Sequence, residues 1–173
     1  SGWLIVSILS LVVGTFFSLM TPVFISLVRF QTDTKIGFSP TQATTLYQVL
    51  AFVLLAIGLY FVYKLSKKSM RVVGGLLGVG LFSLVSFMAF NQYIYVDEDY
   101  IEAGNGFGGN QYGWSEIKEL YYDKNDDGVE WFELVTSDGN KIEVVFGGLL
   151  NTAAKNHIRR SIESHGVKMI DIS

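Results

Sequence analysis

The residues best suited to chemistry in this chain read D-K-N-D-D-G at 123–128. Asp123, Asn125, Asp127 and Gly128 fit positions 1, 3, 5 and 6 of a calcium-binding loop. Position 12 of such a loop is a bidentate Glu, and here it is Leu134, with Glu133 one short. Glu130 is the acid left to complete the set. The same spacing also suits a polar hairpin turn whose Asp and Asn side chains cap their own backbone, and this is the simpler reading. A second pattern, G-N-G-F-G-G at 104–109, matches G-x-G-x-x-G letter for letter. A dinucleotide site needs that pattern to open a helix inside a strand–helix–strand unit. Here another strand follows, so the segment is expected to be a loop. Its aromatics Phe107, Tyr112 and Trp114 are candidate contacts to a membrane surface or a partner.

Other chemistry is hard to assemble. His157 and His165 lie eight residues apart, too far to share one ion on a helix, which takes i, i+3 or i, i+4. The chain has no cysteine, which excludes thiolate metal sites and cysteine nucleophiles. Asp97, Glu98, Asp99 and Glu102 are expected to form a solvated rim. No nucleophile–base pair and no cofactor motif can be named, so the chain is expected to be non-catalytic, with calcium as its one candidate ion.

The elements that must carry these residues follow from composition. Of 173 residues, 50% are hydrophobic and only 17% charged, against about a quarter charged in soluble domains. That excludes a disordered chain, and the acidic balance excludes a basic nucleic-acid binder. The average hides a split. Residues 1–92 carry six basic residues and one acid, net +5; residues 93–173 carry seven basic residues and fifteen acids, net −8. Such asymmetry marks separate units.

The first half contains three uncharged runs, Trp3 to Val28, Ile36 to Tyr63 and Val72 to Val96. Each exceeds the ~20 apolar residues that span a bilayer core. The expected architecture is three transmembrane α-helices at about 3–28, 41–63 and 72–92, followed by a water-exposed domain at 93–173. The first run is too long for a signal-peptide core and is expected to be retained, with Pro22 kinking or ending it. Tyr47, Tyr60, Tyr63 and Tyr93 fall near the predicted ends, where amphipathic rings favour the headgroup level. No Asp, Glu, Lys, Arg or His lies inside a predicted span, which argues against a proton-coupled transporter or a pump. Small residues recur at Ser10, Gly14 and Ser18 and at Gly74 and Gly78. Such spacing lets helix backbones approach, either within the chain or against a partner or second copy. The connector 64–71 holds four basic residues and 29–41 holds two. The positive-inside rule then places 64–71 and the N-terminus in the cytoplasm and the C-terminal domain outside.

From Tyr93 the texture changes to short β-like runs. Residues 93–97 and 100–104 read as a hairpin across Glu98-Asp99, and 116–123, 129–137 and 140–146 as a meander, the last turn marked by Asp138-Gly139. Leu150, Ala154, Ile158 and Ile162 then recur every four residues, giving one apolar stripe on a helix over roughly 150–165. Asn151 suits its N-cap and Gly166 its C-terminal stop. Strands followed by a closing helix predict an α+β domain.

A strand pair, then G-W-S-E-I at 113–117, then a meander and a helix resembles the bacterial pleckstrin-homology-like (PH-like) domains, over about residues 93–166. The resemblance implies that Trp114 and Ile117 pack inward and that the domain binds lipid headgroups or peptides. Headgroup binding demands clustered Lys or Arg, and a net charge of −8 opposes it, so protein–protein contact is the expected use. The sequence thus points to an accessory or regulatory membrane subunit, multi-pass and bacterial, docked on a larger membrane protein or on further copies of itself. The alternative is a sensor that binds a ligand or calcium at the 123–130 or 105–114 loop.

Overall fold

The computed structural model describes residues 13, 14, 16, 20, 24, 28, 30, 33–125, 128–147 and 150–172. The chain divides into two compact units, and the division is discontinuous: Ser1–Arg29 with Pro40–Gln92, and Phe30–Ser39 with Tyr93–Ser173. The charge split sharpens under this division. The first unit contains five basic residues and no acid, and the second keeps the whole −8.

In the first unit, α1 (Gln42–Lys64) and α2 (Lys68–Phe90) are 23 residues each and apolar enough to cross a membrane. At 1.5 Å per residue each is about 34 Å long, enough for the hydrocarbon core. Among the described residues these are the two helices of that kind. Of the expected first span, Val13, Gly14, Phe16, Met20, Phe24 and Val28 are described and helical. The rest of 3–28, including Pro22, lies outside the described residues. Helix α2 starts before the expected 72, taking in Lys68 and Arg71. The Arg71 Nε donates to the Leu65 carbonyl at 2.5 Å, so a charged side chain caps the end of α1.

α1 and α2 meet through glycine. A Cβ on Gly58 would lie 2.6 Å from the Gly78 Cα, and one on Gly78 would lie 2.8 Å from the Gly58 Cα. Backbone therefore touches backbone, which only glycine permits. At the other end of the hairpin the Thr41 N–H (3.1 Å) and the Thr44 hydroxyl (2.6 Å) both donate to the Gln92 carbonyl. Large side chains such as Leu46, Leu76 and Leu77 stand exposed along these helices.

The second unit is α+β. Its strands are β1 (Lys35–Pro40), β2 (Tyr93–Asp97), β3 (Tyr100–Gly104), β4 (Gly109–Gly113), β5 (Ile117–Lys124), β6 (Glu130–Thr136), β7 (Lys141–Val145) and β8 (Met169–Asp171). They form two four-stranded sheets, ordered β1-β2-β3-β4 and β7-β6-β5-β8. The β2–β3, β5–β6 and β6–β7 hairpins are antiparallel, with Tyr95 opposite Glu102 and Leu134 opposite Ile142. Gly139 takes φ +85° in the β6–β7 turn, a conformation that glycine adopts without strain. Helix α3 (Thr152–Ser164) buries Ala154, Ile158 and Ile162 against the core, with Leu150 just before it. The Asn151 side chain accepts from the Ala153 and Ala154 N–H groups, and Gly166 (φ +81°) ends the helix.

Three strands have no counterpart in the sequence reading. The apolar runs Ile36 to Tyr63 and Val72 to Val96 are longer than their helices because each includes a strand: β1 opens the first and β2 closes the second. Strand β4 occupies the expected loop 105–114. Strand β8 returns after α3 to pair in parallel with β5, Leu120 beside Met169.

Candidate functional site

Strand β2 is buried on both faces. Period-two alternation sends Ile94 and Val96 into the main core, and Tyr93, Tyr95 and Asp97 to the other side. That second face is covered by residues from far upstream. Phe30 stacks on Tyr95 with ring centres 4.2 Å apart, lies 5.0 Å from Tyr93, and packs on Phe38, which in turn stacks on Tyr93. Asp97 is 3% exposed and Glu102 7%. This corrects the expectation of a solvated rim for these two acids, which stand in the aromatic enclosure.

Their oxygens are taken up by specific donors. The Tyr95 hydroxyl donates to Asp97 Oδ2 at 2.5 Å, the Thr34 hydroxyl to the same oxygen at 2.9 Å, and the Glu98 N–H to Oδ1 at 2.8 Å. Glu102 accepts from the Tyr93 hydroxyl and, at 3.2 Å, from the Gln111 amide. The row Tyr95–Glu102–Gln111 runs straight across β2, β3 and β4. Gly109 is required beside it, since a Cβ there would lie 1.9 Å from the Glu102 Oε1. Nearby, burial first and then the Asp97 and Glu102 charges raise the Tyr100 hydroxyl pKa, and the Tyr95 hydrogen bond opposes them. Such a network fixes geometry, because a buried polar group costs free energy unless its partners are all in place.

The turn at 123–130 is built by its own side chains. The Asn125 side-chain oxygen accepts from the Val129 N–H at 2.8 Å, and Asp123 Oδ1 accepts from the Lys124 N–H at 2.6 Å. Asp127 lies outside the described residues. Glu130 points away from the turn. One of its carboxylate oxygens accepts from the Lys155 ammonium and the other from the Tyr122 hydroxyl at 3.0 Å. Lys155 also sits over the Tyr122 ring, 4.9 Å from its centre. The Lys155 hydrogen bond, followed by that of Tyr122, holds the Glu130 carboxyl below its ordinary value. This ion pair ties α3 to β6 beside a recess of about 360 Å³ between Glu130, Phe146, Asn151 and Lys155. Among the described residues no group of three His, Cys, Asp or Glu side chains could hold a metal ion.

The 104–109 glycines form the β3–β4 turn. Asn105 closes it by accepting from the Phe107 and Gly108 N–H groups, each at 3.1 Å. Of the three aromatics singled out there, only Phe107 stands free, 68% exposed. Tyr112 and Trp114 turn inward with Ile117. The Trp114 indole donates to the Glu98 carbonyl at 2.7 Å, and the Tyr112 hydroxyl accepts from Asn140 at 3.0 Å. Strand alternation in β4 aims Tyr112 into the core and the 3-10 turn Trp114–Glu116 that follows turns Trp114 inward, so an exposed aromatic loop is corrected to a single exposed Phe. His157 packs edge-on against Trp114, and His165 binds the Ser161 carbonyl at 2.7 Å.

The small residues of the helices are used within the chain. Gly78 meets Gly58 of α1, and a Cβ on Gly74 would lie 3.6 Å from that of Phe61. A Cβ on Gly14 would lie 3.0 Å from the Phe52 ring. Ser10 and Ser18 lie outside the described residues.

Sequence reasoning missed Tyr93, Tyr95, Asp97, Glu102 and Gly109 as one constellation. The alternation Y-I-Y-V-D was a signal that one face of β2 is aromatic and acidic. Nothing local revealed that Phe30 and Phe38 cover that face. No protein family and no curated protein matches this chain.

Proposed function

We propose that this chain is a non-catalytic accessory or regulatory subunit of a membrane assembly. Apolar helices anchor it and dock against a larger membrane protein or another copy, and a PH-like domain offers a recognition surface at the bilayer. One observation carries the reading: a hairpin of two membrane-length helices, with large apolar side chains facing outward and no acid in its unit, is spliced into an acidic sheeted domain. Leu46 is 71% and Leu76 68% exposed, surfaces that suit lipid or a partner helix and not water.

Two four-stranded sheets, a closing helix and an inward-facing Trp114 and Ile117 support the PH-like resemblance. In this reading residues 3–28 form a further span, the N-terminus and 64–71 are cytoplasmic, and the domain lies outside. Strands β1 and β2 are neighbours in one sheet, so the chain between them crosses the membrane an even number of times, in keeping with two spans. The −8 charge turns the domain toward proteins or cations and away from anionic lipid. The test is purification of the chain from its native membrane into nanodiscs, followed by native mass spectrometry. A defined complex with a larger membrane protein or with further copies is expected. A monodisperse single chain overturns the reading.

A further inference from the structure

We propose that the free edge of β4 is a docking site for an extended, basic segment of a partner protein, which adds to the first sheet as a further strand. β4 is the last strand of its sheet and pairs with β3 alone. The Asn105 N–H donates to the Gly108 carbonyl at 2.9 Å across the turn that joins them. In an antiparallel ladder, hydrogen-bonded and non-hydrogen-bonded pairs alternate, so Ala103–Asn110 and Ile101–Tyr112 are the next bonded pairs. The N–H and carbonyl groups of Gly109, Gln111 and Gly113 therefore point away from β3. The Gly113 N–H follows that direction, donating to the Glu116 carboxylate at 2.7 Å. No described residue takes the outward backbone groups of Gly109 and Gln111. Two N–H donors and two carbonyl acceptors thus face outward at every second residue, the spacing at which a neighbouring strand presents its own.

The other sheet edges carry devices that block strand addition, namely lysine, proline or very short length. β1 contains Lys35 and ends at Pro40, β7 carries exposed Lys141 and Glu143, and β8 is three residues long. β4 reads G-N-Q-Y-G, with no charge, no proline and no break in its register. A shallow recess of about 470 Å³ lies beside it, lined by Gly109, Asn110, Gln111, Tyr112, Asp138 and Asn140. It gives an incoming strand room. The Asn140 side-chain amide donates to the Tyr112 hydroxyl at 3.0 Å and so fixes the β6–β7 turn against this edge. Charge names the occupant. Asp138 is the one charged side chain lining the recess, and the Thr136 hydroxyl holds its carboxyl below the ordinary value. The unit around it carries −8. Two copies of this chain bring like charges together there, whereas Lys or Arg on an added strand meets an opposite potential. In strand addition, main-chain hydrogen bonds supply affinity and alternate side chains supply specificity. The inference locates the recognition surface of the proposed function, and it rests on that reading for the domain's use in protein contact.

The probe is a random library of short peptides displayed on phage, passed over empty zwitterionic nanodiscs and then selected on the full chain in the same nanodiscs. Enriched peptides are expected to carry Lys or Arg among β-branched residues. With one of them, made synthetically and added to saturation, the Gln111 backbone amide is expected to exchange its hydrogen about ten-fold more slowly or beyond. The Asn110 and Tyr112 amides, already bonded to β3, are expected to change little. Gln111→Pro deletes an outward N–H, a substitution that an edge strand accepts there, and is expected to weaken peptide binding about ten-fold. Asn110→Lys sets a cation beside the recess and is expected to weaken binding too, which keeps the test open if Gln111→Pro does not fold. Asn156→Lys makes the same charge change on an exposed position of α3 and is expected to leave the affinity as it was. No enrichment, or enrichment without an excess of Lys and Arg, overturns the proposal. So do unchanged exchange at Gln111, undiminished binding to folded Gln111→Pro or Asn110→Lys protein, and equal weakening by Asn156→Lys. A native complex that forms while peptide binding fails overturns the docking site and leaves the proposed function standing, so the two failures are distinguishable.

Discussion

Asp97 and Glu102 are the residues that most separate this domain from a plain apolar sandwich. Each is buried and each is satisfied: Asp97 by the Tyr95 and Thr34 hydroxyls and the Glu98 N–H, Glu102 by the Tyr93 hydroxyl and the Gln111 amide from the strands on either side. Asp97→Ala removes the acceptor of three hydrogen bonds at once. By the usual cost of unmaking buried hydrogen bonds, it is expected to destabilise the domain by about 1–3 kcal/mol. Urea unfolding of the full chain in micelles, followed through tryptophan fluorescence, to which Trp114 and Trp131 of the domain contribute, measures this. Gly109→Ala tests the same network from the steric side. Its Cβ has no room beside the Glu102 Oε1 and the Tyr93 hydroxyl. A loss of about 1–3 kcal/mol, as for overpacked cores, is expected in the same experiment, and a neutral result shows that Glu102 can rearrange. The acids were visible in the sequence as acids. Their burial was not, because the residues that cover them lie tens of positions upstream, a separation at which no local pattern operates.

At the scale of elements, two contacts decide how helices are held. The first is Gly58 against Gly78, where backbones touch. Gly78→Leu is expected to force α1 and α2 apart. A cysteine pair placed at facing positions of the two helices should then cross-link far more slowly, while Gly80→Leu leaves the rate as it was. The second is the Lys155–Glu130 pair that fastens α3 to β6. Lys155 and then Tyr122 hold the Glu130 carboxyl below its ordinary 4.5. The stabilisation is therefore complete above about pH 4.5 and lost as pH falls through the lower folded-state value. Unfolding midpoints measured from pH 7 down to pH 3 are expected to fall in that acid range, and Lys155→Met is expected to flatten that part of the profile. Helix α3 itself was legible from its own residues. Its four-residue stripe, Asn cap and Gly stop all lie within one short stretch, and each landed where periodicity and capping chemistry place it. Strand β4 was not, because its sequence G-N-Q-Y-G carries almost no strand propensity and owes its conformation to pairing with β3.

For the whole molecule, the finding with most consequence is that the sheeted domain is discontinuous. Its first strand precedes the α1–α2 hairpin and its remaining strands follow it. Sheet pairing between β1 and β2 requires residues 33 and 164 to share one side of a membrane. The cysteine-free chain again gives a clean measurement. In sealed vesicles, Asp33→Cys and Ser164→Cys are expected to react with an impermeant maleimide from the same side, and Ser66→Cys from the opposite side. Labelling of 33 and 164 from opposite sides excludes the hairpin topology.

The sequence by itself determined what short-range physics can encode. Length and apolarity marked α1 and α2, charge segregation separated the apolar helical unit from the acidic sheeted one, alternation and turn residues marked the hairpins, and a four-residue stripe marked α3. Tertiary structure alone decided that residues 30–39 belong with the distant domain and that Asp97 and Glu102 are enclosed. It also decided that Tyr112 faces the core, and that the helical glycines meet within the chain. The reason is common to all four. Each depends on which surface another segment covers, and burial is a property of pairs of segments brought together by the fold, not of any one segment's own composition or period.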